Sequence, residues 1–258
     1  MLYFRSLFLV LILLSSQYSS SETVKLTSLY WPPYSGPELE GEGASIAVIR
    51  AAFESMGYKL HVDYFPWPRT LAKAEDSNSA YIGYAPEYYS PVVESKFIFS
   101  DSIGESPLGL MQRWHQPIQW QDIMDLRQYK IGVVRDYVNT TEFDYAIARG
   151  VLSVDESIDD VTNLKKVFHQ RLDAAVIDPN VMEFLLNTHD EFAMHKKRLN
   201  INSKLLEMKQ LYVCFRISEQ GKKIVAVLNE GLKKIDREKI YRYYLAINKQ
   251  GREAKIDK

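Results

Sequence analysis

Aromatic rings in loops are the side chains with the clearest chemical use, and they indicate binding rather than bond breaking. The sequence holds 17 Tyr and 4 Trp, and many of them fall outside periodic segments. Trp31 and Tyr34 belong to the loop Trp31-Pro-Pro-Tyr-Ser-Gly36, which its prolines make stiff and unsuited to a helix. Rigid rings supply contact area at little entropic cost. Such loops are typical of a ligand cleft, although the same rings would also pack on the surface of their own domain.

A carboxylate, Asp178, ends a predicted strand that runs from Leu172 to Ile177. In open α/β sheets the carboxyl ends of strands face the crevice where ligands bind. An ion pair formed there and shielded from water is stronger than one in bulk solvent. Asp178 also precedes Pro179 and a predicted helix, and Asp is a good N-cap. Both roles stay open, and they are compatible.

Asn139 and Thr140, at the start of another predicted helix, are candidates for holding an anion. That helix is predicted from about Thr140 to Ala148. The first backbone N–H groups of a helix lack partners, and the helix dipole favours negative charge there. The same residue types are ordinary helix caps that need no ligand. The sequence leaves both interpretations open.

The residue constellations of the common enzyme classes are missing from the sequence. It has no Gly-rich phosphate loop and no Gly-x-Ser-x-Gly elbow, and spacing alone assembles no catalytic triad. The single cysteine, Cys214, lies in an apolar run and is interpreted as a core residue. None of the histidines falls at a zinc-ligand spacing, and they are His61, His115, His169, His189 and His195. We therefore expect no enzyme activity, no metal and no cofactor.

The first positioning element is a βαβ unit. Val24 to Tyr30 is a predicted strand, and Lys59 to Phe65 alternates as a second one. Between them Ser45 is the predicted N-cap of a helix that Gly57 ends. A second short helix follows Trp67, and Ala80 to Tyr84 is a further strand before a loop rich in proline and tyrosine. This order predicts a parallel sheet in an α/β fold.

The same pattern restarts later in the chain. The second unit comprises a strand at Lys130 to Arg135, helices near 140–148 and 161–170, the strand at 172–177 and a helix from Pro179. A strand at Gln210 to Arg216 and two closing helices, 219–235 and 237–248, follow it. The sequence thus predicts two α/β units and a returning C-terminal segment.

Length and charge agree with two lobes. The 258 residues exceed a typical single core of about 100 to 150 residues. Residues 1–21 carry a short basic start, an apolar core too short for a bilayer span and a small polar exit, which predicts a signal peptide. We expect lobe 1 at 22–114, lobe 2 at 115–209 and a return mainly to lobe 1 at 210–258. The net charge of -1 argues against nucleic acid, and we expect a monomer outside the cytoplasm.

Six segments in this order resemble the bacterial extracellular solute-binding proteins of family 3, the group of polar amino-acid receptors of ABC transporters. The resemblance covers essentially the whole chain after residue 21 and implies a type II periplasmic binding protein fold, with two α/β lobes closing on a ligand. The segments are the loop 30–34, the stretch 41–58 ending in Ala-Phe-Glu-Ser-Met-Gly-Tyr, Phe99-Ser-Asp101 after a Ser90-Pro91 turn, Tyr129-Lys-Ile-Gly-Val-Val134, Arg171-Leu-Asp-Ala-Ala-Val-Ile-Asp178 and Leu211-Tyr-Val-Cys-Phe-Arg216.

The resemblance also implies roles for the candidate residues. Trp31 and Tyr34 would form an aromatic wall over the ligand, and Asp178 would receive its ammonium group. Asn139 and Thr140 would lie at the place that holds the ligand carboxylate.

One departure bears on the ligand. The family carries an arginine that binds the ligand carboxylate where this chain has Val93. Either another cation does this work or the ligand is not an ordinary α-amino acid. Arg69, beside Trp67, and Arg135 are the candidate replacements, although each is also an ordinary surface charge. Trp67 is itself a further candidate for the ligand site. Tyr84 would add a hydroxyl and a ring, unless it serves cross-strand packing.

The resulting expectation is a periplasmic protein that captures a small polar solute, an amino acid or a related organic ion, by lobe closure. An inner-membrane ABC permease is the expected partner. A stand-alone signalling receptor read by a membrane sensor is the alternative. A dehydratase of cyclic acids on the same fold, with Glu87 or Asp178 as the acid, is a further one.

Overall fold

Two β-sheets that share one long strand organise the chain, as seen in a computed structural model that describes residues 22–193 and 196–249. The predicted signal peptide lies outside the described residues. The strands are β1 (Thr23–Ser28), β2 (Lys59–Tyr64), β3 (Gly83–Tyr88), β4 (Phe97–Phe99), β5 (Gly104–Arg113), β6 (Ile131–Val134), β7 (Val154–Ser157), β8 (Ala174–Ile177), β9 (Leu199–Ile201) and β10 (Glu207–Arg216).

The helices lie between these strands and at the C-terminal end of the described chain. They are α1 (Ala44–Ser55), α2 (Trp67–Glu75), α3 (Pro91–Glu94), α4 (Thr141–Ala148), α5 (Asp160–Phe168), α6 (Pro179–Thr188), α7 (Asp190–Ala193), α8 (Glu219–Lys234) and α9 (Arg237–Lys249), with short 3-10 turns at Glu40–Glu42, Ile123–Gln128 and Lys196–Arg198. Among the described residues no helix combines the length and apolarity that a bilayer crossing requires.

The predicted βαβ unit at the start of the chain is confirmed. β1 pairs in parallel with β2 on one side and with β3 on the other, and α1 connects β1 to β2. The apolar face of α1 is fully buried at Ile46, Ile49 and Phe53. Helical spacing places these three side chains on one face, which explains why the sequence predicted this helix well.

The predicted N-cap of α1 is wrong. The helix begins at Ala44 after Gly43, which has a φ of 99°, and Ser45 lies buried in the first turn with a hydroxyl that lacks a partner. The carbonyls of Pro33 and Tyr34 accept hydrogen bonds from the N–H groups of Ala44 and Ser45, at 3.0 Å each. A side chain at Gly43 would clash with the Tyr34 carbonyl. Main-chain bonds from the aromatic loop therefore replace the side-chain cap.

The third strand begins and ends later than predicted. The sequence placed it at Ala80 to Tyr84 and expected a loop afterwards, whereas β3 extends to Tyr88. Antiparallel pairing with β10 causes the extension, and the register shifts between Tyr212 and Cys214. Such an irregularity accommodates Pro86 within the strand. Glu87 and Tyr88 are thus on a buried strand rather than in a loop.

The long strand β5 connects the sheets. Glu207–Leu211 of β10 pairs with Gly104–Leu108 of β5, and the second half of β5 pairs with β8 and β9. In the second sheet β6 lies parallel to both β7 and β8, which confirms the second α/β unit. The predicted lobe boundaries at residues 114 and 209 stay a prediction, because β5 runs through both sheets.

The closing helices pack on the first lobe. Both α8 and α9 contact α1, and a side chain at Gly231 of α8 would clash with the Ala52 carbonyl of α1. The far end of α9 reaches the second lobe, where Lys249 and Glu183 form an ion pair of 2.7 Å. The helix α1, near the start of the described chain, thus packs in one layer with α8 and α9 from its end.

Candidate functional site

A cavity of about 30 Å³ lies between the two sheets. Ligand pockets measure roughly 300 to 1,000 Å³, so a solute requires this cavity to widen. Its wall is mainly aromatic and apolar and comprises Leu29, Trp31, Trp67, Pro86, Glu87, Tyr88, Tyr137, Val138 and Leu211. Both lobes and the long strand β10 contribute to it, which makes this cavity the candidate site.

The loop after β1 supplies the aromatic wall that the sequence predicted. Trp31 borders the cavity and stacks on Tyr34, with 4.5 Å between ring centroids, while Tyr88 meets it edge-on at 6.0 Å. Tyr34 is fully buried behind Trp31 and does not line the cavity. The main-chain bonds to the start of α1 fix the loop, so Trp31 is held rigidly in place.

Trp67 joins the lobes. Its ring meets Tyr84 at 5.5 Å and Tyr137 at 5.7 Å, both edge-on. Its indole N–H donates a hydrogen bond of 2.9 Å to the carbonyl of Asp136 in the second lobe. Tyr84 lies behind Trp67 against Phe97 and does not line the cavity. Of these two predicted residues, Trp67 contacts the cavity and Tyr84 supports it.

Asp178 is buried, and its acceptor positions are filled by the protein. It caps α6, accepting bonds from the N–H groups of Asn180 at 2.5 Å and Val181 at 3.2 Å. Its second oxygen accepts the hydroxyl of Tyr34 at 2.7 Å and that of Ser106. Burial raises the pKa of Asp178 to about 6, although the bonds from Ser106 and Tyr34 oppose the rise. A carboxylate has about four acceptor positions, so none is left for a ligand in this state.

Glu87 is the charged residue of the cavity wall, and the sequence analysis considered it only for the enzyme alternative. One oxygen accepts the Tyr84 hydroxyl at 2.9 Å, and the other accepts the N–H of Tyr88 at 2.7 Å. Burial raises the pKa of Glu87 to about 7, against the lowering by these bonds and by Lys209. Its acidic type was visible, but its burial depends on the unpredicted extension of β3.

Asp160 is a second buried acid that the sequence analysis missed. It lies in the first turn of α5, whose N-cap is the neighbouring Asp159. Burial and the charges of Asp159 and Asp178 raise the pKa of Asp160 to about 7, while a hydrogen bond from the Trp31 side chain lowers it. The pair Asp159-Asp160 looks like a solvated helix start in the sequence, and only the approach of Trp31 from the other lobe buries it.

Asn139 and Thr140 take part in hydrogen bonds within the protein at the start of α4. The Thr140 hydroxyl accepts the N–H of Phe143 at 3.1 Å. Asn139 donates its backbone N–H and its side-chain amide to the carboxylate of Asp144, at 2.9 and 2.7 Å. The start of α4 therefore holds an internal carboxylate.

The two candidate arginines lie outside the cavity wall. Arg69 is exposed, with its guanidinium 5.0 Å from the centroid of the Phe65 ring. Arg135 is exposed and pairs with Glu156 at 3.3 Å. Val93 is half-buried on α3 and packs against the core. Within the ranges 22–193 and 196–249, no arginine lines the cavity.

Cys214 is a core residue, as the sequence predicted. Cys214 is a free, buried thiol, and burial raises its pKa, as expected for a core residue. In the described part of the chain no three His, Cys, Asp or Glu side chains are arranged to hold a metal ion.

Comparisons with known proteins establish the fold. No protein-family model matches the chain, and no curated protein sequence matches it. Among solved structures, the chain is similar to a histidine kinase sensor domain with similarity to periplasmic binding proteins, at a TM-score of 0.72 and 16% identity over 88% of this chain and 95% of that one.

Two further solved structures agree. An ancestral arginine-binding protein bound to arginine superposes at a TM-score of 0.69 and 14% identity, over 87% of this chain and 96% of the other. The substrate-binding protein of an amino acid ABC transporter gives 0.65 and 16%, over 86% and 97%. These identities establish the fold alone. The chain has the two-lobed type II periplasmic binding protein fold, which confirms the fold predicted from the resemblance to family 3.

Proposed function

We propose that this protein is a solute-binding protein that closes its two lobes around a small polar solute outside the cytoplasm. The observation that carries the proposal is the aromatic cavity between the lobes, with a buried carboxylate in its wall. Ligand sites combine mostly apolar walls with a few convergent polar groups. The cavity of this chain has that composition.

The contacts between the lobes support hinge closure. Tyr34 of the first lobe bonds to Asp178 of the second, and Trp67 bonds to the Asp136 carbonyl across the cavity. These side chains would separate when the lobes open. A solute that contacts Trp31, Trp67 and Tyr137 together would favour the closed form, because the open form lacks this combined surface.

The partner is the finer part of the proposal. Similar folds include an amino acid ABC transporter protein and a histidine kinase sensor domain. We propose delivery of the solute to an inner-membrane permease, with a membrane sensor as the alternative reader of the closed form. A permease and an ATPase encoded beside this protein would favour transport, and a kinase encoded there would favour sensing.

An enzyme on this fold is the less favoured candidate. An ancestral amino-acid-binding protein described as a precursor of cyclohexadienyl dehydratase superposes at a TM-score of 0.64 with 15% identity, over 87% of this chain and 93% of that one. Glu87, with a pKa of about 7, has the acidity that a general acid needs. The described cavity wall, however, has no arginine or lysine to bind a cyclic acid. Turnover of a bound solute, followed by mass spectrometry, would identify an enzyme.

Thermal unfolding in the presence of small solutes tests the proposal. Amino acids, amines, dicarboxylates and short peptides are screened, and each stabilising compound is measured by calorimetry. A solute at 100 times its dissociation constant stabilises a protein by about 2.7 kcal/mol. Failure of every compound class would contradict a solute-binding role.

A pair of tryptophan variants controls for the site. Trp67→Ala removes a ring from the cavity wall, so we expect it to weaken binding at least tenfold. Trp114 is 69% exposed and does not line the cavity, so Trp114→Ala removes the same side chain without changing affinity. Equal effects of the two variants would place the binding site elsewhere.

A further inference from the structure

Negative charge dominates the buried surroundings of the cavity. Glu87 lies in the wall itself, and Asp160 bonds to Trp31, which is also in the wall. Asp178 lies behind Tyr34, through which it connects to Trp31. The three carboxyl groups come from β3, from α5 and from the residue before α6, and each is less than one-tenth exposed. The fold has thus concentrated acids from both lobes around one small space.

The buried cation nearest to this space is already engaged. Lys209 of β10 is 4% exposed, and its ammonium lies 3.5 Å from Glu207 and 5.5 Å from the centroid of the Tyr88 ring. Arg113 is also buried, but it donates to the carbonyls of Val167 and Leu172 within the second lobe. Among the described residues the cavity wall holds no lysine or arginine, so in this low-dielectric space a ligand carboxylate would meet these acids without a cation in the wall to pair with.

The place where a helix start would accept an anion is occupied as well. Asp144 takes both the backbone and side-chain N–H groups of Asn139. The first turn of α4 also carries Glu142, so the positive end of the helix dipole already faces acidic side chains. A second carboxylate at this place would be repelled.

We propose that the cavity takes a small organic cation that lacks a carboxylate, and that Glu87 receives its ammonium or guanidinium group. The ligand class deepens the proposed solute-binding function and rests on it. Glu87 accepts one hydrogen bond from the Tyr84 hydroxyl and one from the N–H of Tyr88. A carboxylate has further acceptor positions, and Glu87 lines the cavity. Trp31, Trp67, Tyr88 and Tyr137 add aromatic surface that attracts a cation.

Pairs of ligands that differ only in a carboxylate test the class. Agmatine is arginine without its carboxylate, and cadaverine is lysine without its carboxylate. Calorimetry at pH 8, where Glu87 is ionised, measures all four compounds on the unmodified protein. We expect each amine to bind at least tenfold more tightly than the corresponding amino acid. Equal or tighter binding of arginine and lysine would overturn the proposed ligand class.

A matched pair of variants tests the residue. Glu87→Gln keeps the shape and removes the charge, so we expect the affinity for the better amine to fall at least tenfold. Glu156 is exposed on the second lobe and pairs with Arg135. Glu156→Gln changes the net charge equally, and we expect its affinity to stay within twofold of the parent. Retained amine affinity in Glu87→Gln would remove Glu87 from the site.

The same measurements separate this inference from the proposed function. If amino acids or dicarboxylates stabilise the protein and amines do not, the cation class is wrong while a solute-binding role stands. If no compound of any class binds, both proposals fail. The ligand pairs need no variant, so they decide the class even where Glu87→Gln does not fold.

Discussion

Asp178 and Glu87 are both buried carboxyl groups between the lobes, yet their surroundings differ. Asp178 accepts bonds from two backbone N–H groups and two hydroxyl groups. Glu87 accepts one hydroxyl and one backbone N–H, and it borders the cavity. The pKa is raised to about 6 for Asp178 and to about 7 for Glu87.

The difference separates an acid whose acceptor positions are filled by the protein from the acid to which we assign ligand binding. Four hydrogen bonds from the protein stabilise the carboxylate of Asp178, which connects the helix α6 to Tyr34 of the other lobe. Glu87 is less compensated, so burial costs its charged form more, and a bound cation would relieve that cost. Asp178 was a candidate because it follows the end of a strand, whereas Glu87 becomes a binding candidate only because it borders the cavity.

The largest effect is expected when the structural acid is removed. Asp178→Ala leaves two hydroxyl groups and two helix N–H groups without their acceptor, so the free energy of unfolding should fall by roughly 2 to 4 kcal/mol. Denaturant unfolding of the variant and the parent measures this change in the free energy of unfolding. Asp159→Ala is the control, because Asp159 caps α5 at an exposed position and its loss should cost about 1 kcal/mol. Equal losses of unfolding free energy in the two variants would show that Asp178 acts only as a helix cap.

The next effect is the pH dependence of Glu87. Its pKa rises from 4.5 to about 7 in the folded chain, so the folded state binds this proton more tightly. The stability that the group contributes is therefore present below about pH 4.5 and lost as the pH rises through 7. Relative to the parent, Glu87→Gln should gain roughly 1 to 3 kcal/mol between pH 4.5 and pH 8 without ligand. Unfolding curves at both pH values measure this gain, and parallel pH profiles would contradict it.

A smaller effect is expected for the contact between the lobes. Tyr34→Phe removes the hydroxyl that bonds to Asp178 and accepts from Asn180, so stability should fall by about 1 kcal/mol. Tyr81→Phe removes a comparable bond to Asp63 at a less buried place, and it should cost less. A larger loss in Tyr81→Phe would show that the Tyr34 contact contributes little to lobe closure.

The smallest effect is expected for the exposed arginines. Arg135→Ala breaks a surface ion pair with Glu156, and such pairs are worth about 0 to 1 kcal/mol. Solute affinity in Arg69→Ala and Arg135→Ala should stay within twofold of the parent by calorimetry. A tenfold loss of solute affinity in either variant would show that a surface arginine reaches the ligand. It would contradict the proposal that Glu87 is the charged residue that binds the solute.

Local patterns predicted most of the fold. The helices around Ile49 and from Glu219, and the strands that begin the two α/β units, have periodic apolar residues that fix their type. The end of β3 was not predictable in the same way, because its partner β10 lies more than a hundred residues later. The cap of α1 was missed because the main-chain carbonyls of Pro33 and Tyr34 perform it, and a main-chain cap leaves no mark in the residue types.

The candidate site was predicted in part. Trp31 and Trp67 line the cavity, and Tyr34 and Tyr84 support those two rings from behind. Arg69 and Arg135 were named to replace a missing arginine. Arg69 lies in the first turn of α2 and Arg135 directly follows β6, and neither position determines which side a long side chain takes. The acids Glu87 and Asp160 are buried only by contacts from other elements, and no local pattern reports such burial.

The order of strands in the first sheet also determines when that sheet can be completed. β10 lies between β3 and β5, although it is the last strand in the sequence. All strands of the second sheet, β5 to β9, come before β10 in the sequence. Since distant pairings form slowly, we expect lobe 2 to fold before lobe 1, whose sheet requires the C-terminal strand β10. Pulsed hydrogen exchange during refolding would show protection of β6 and β8 before β1.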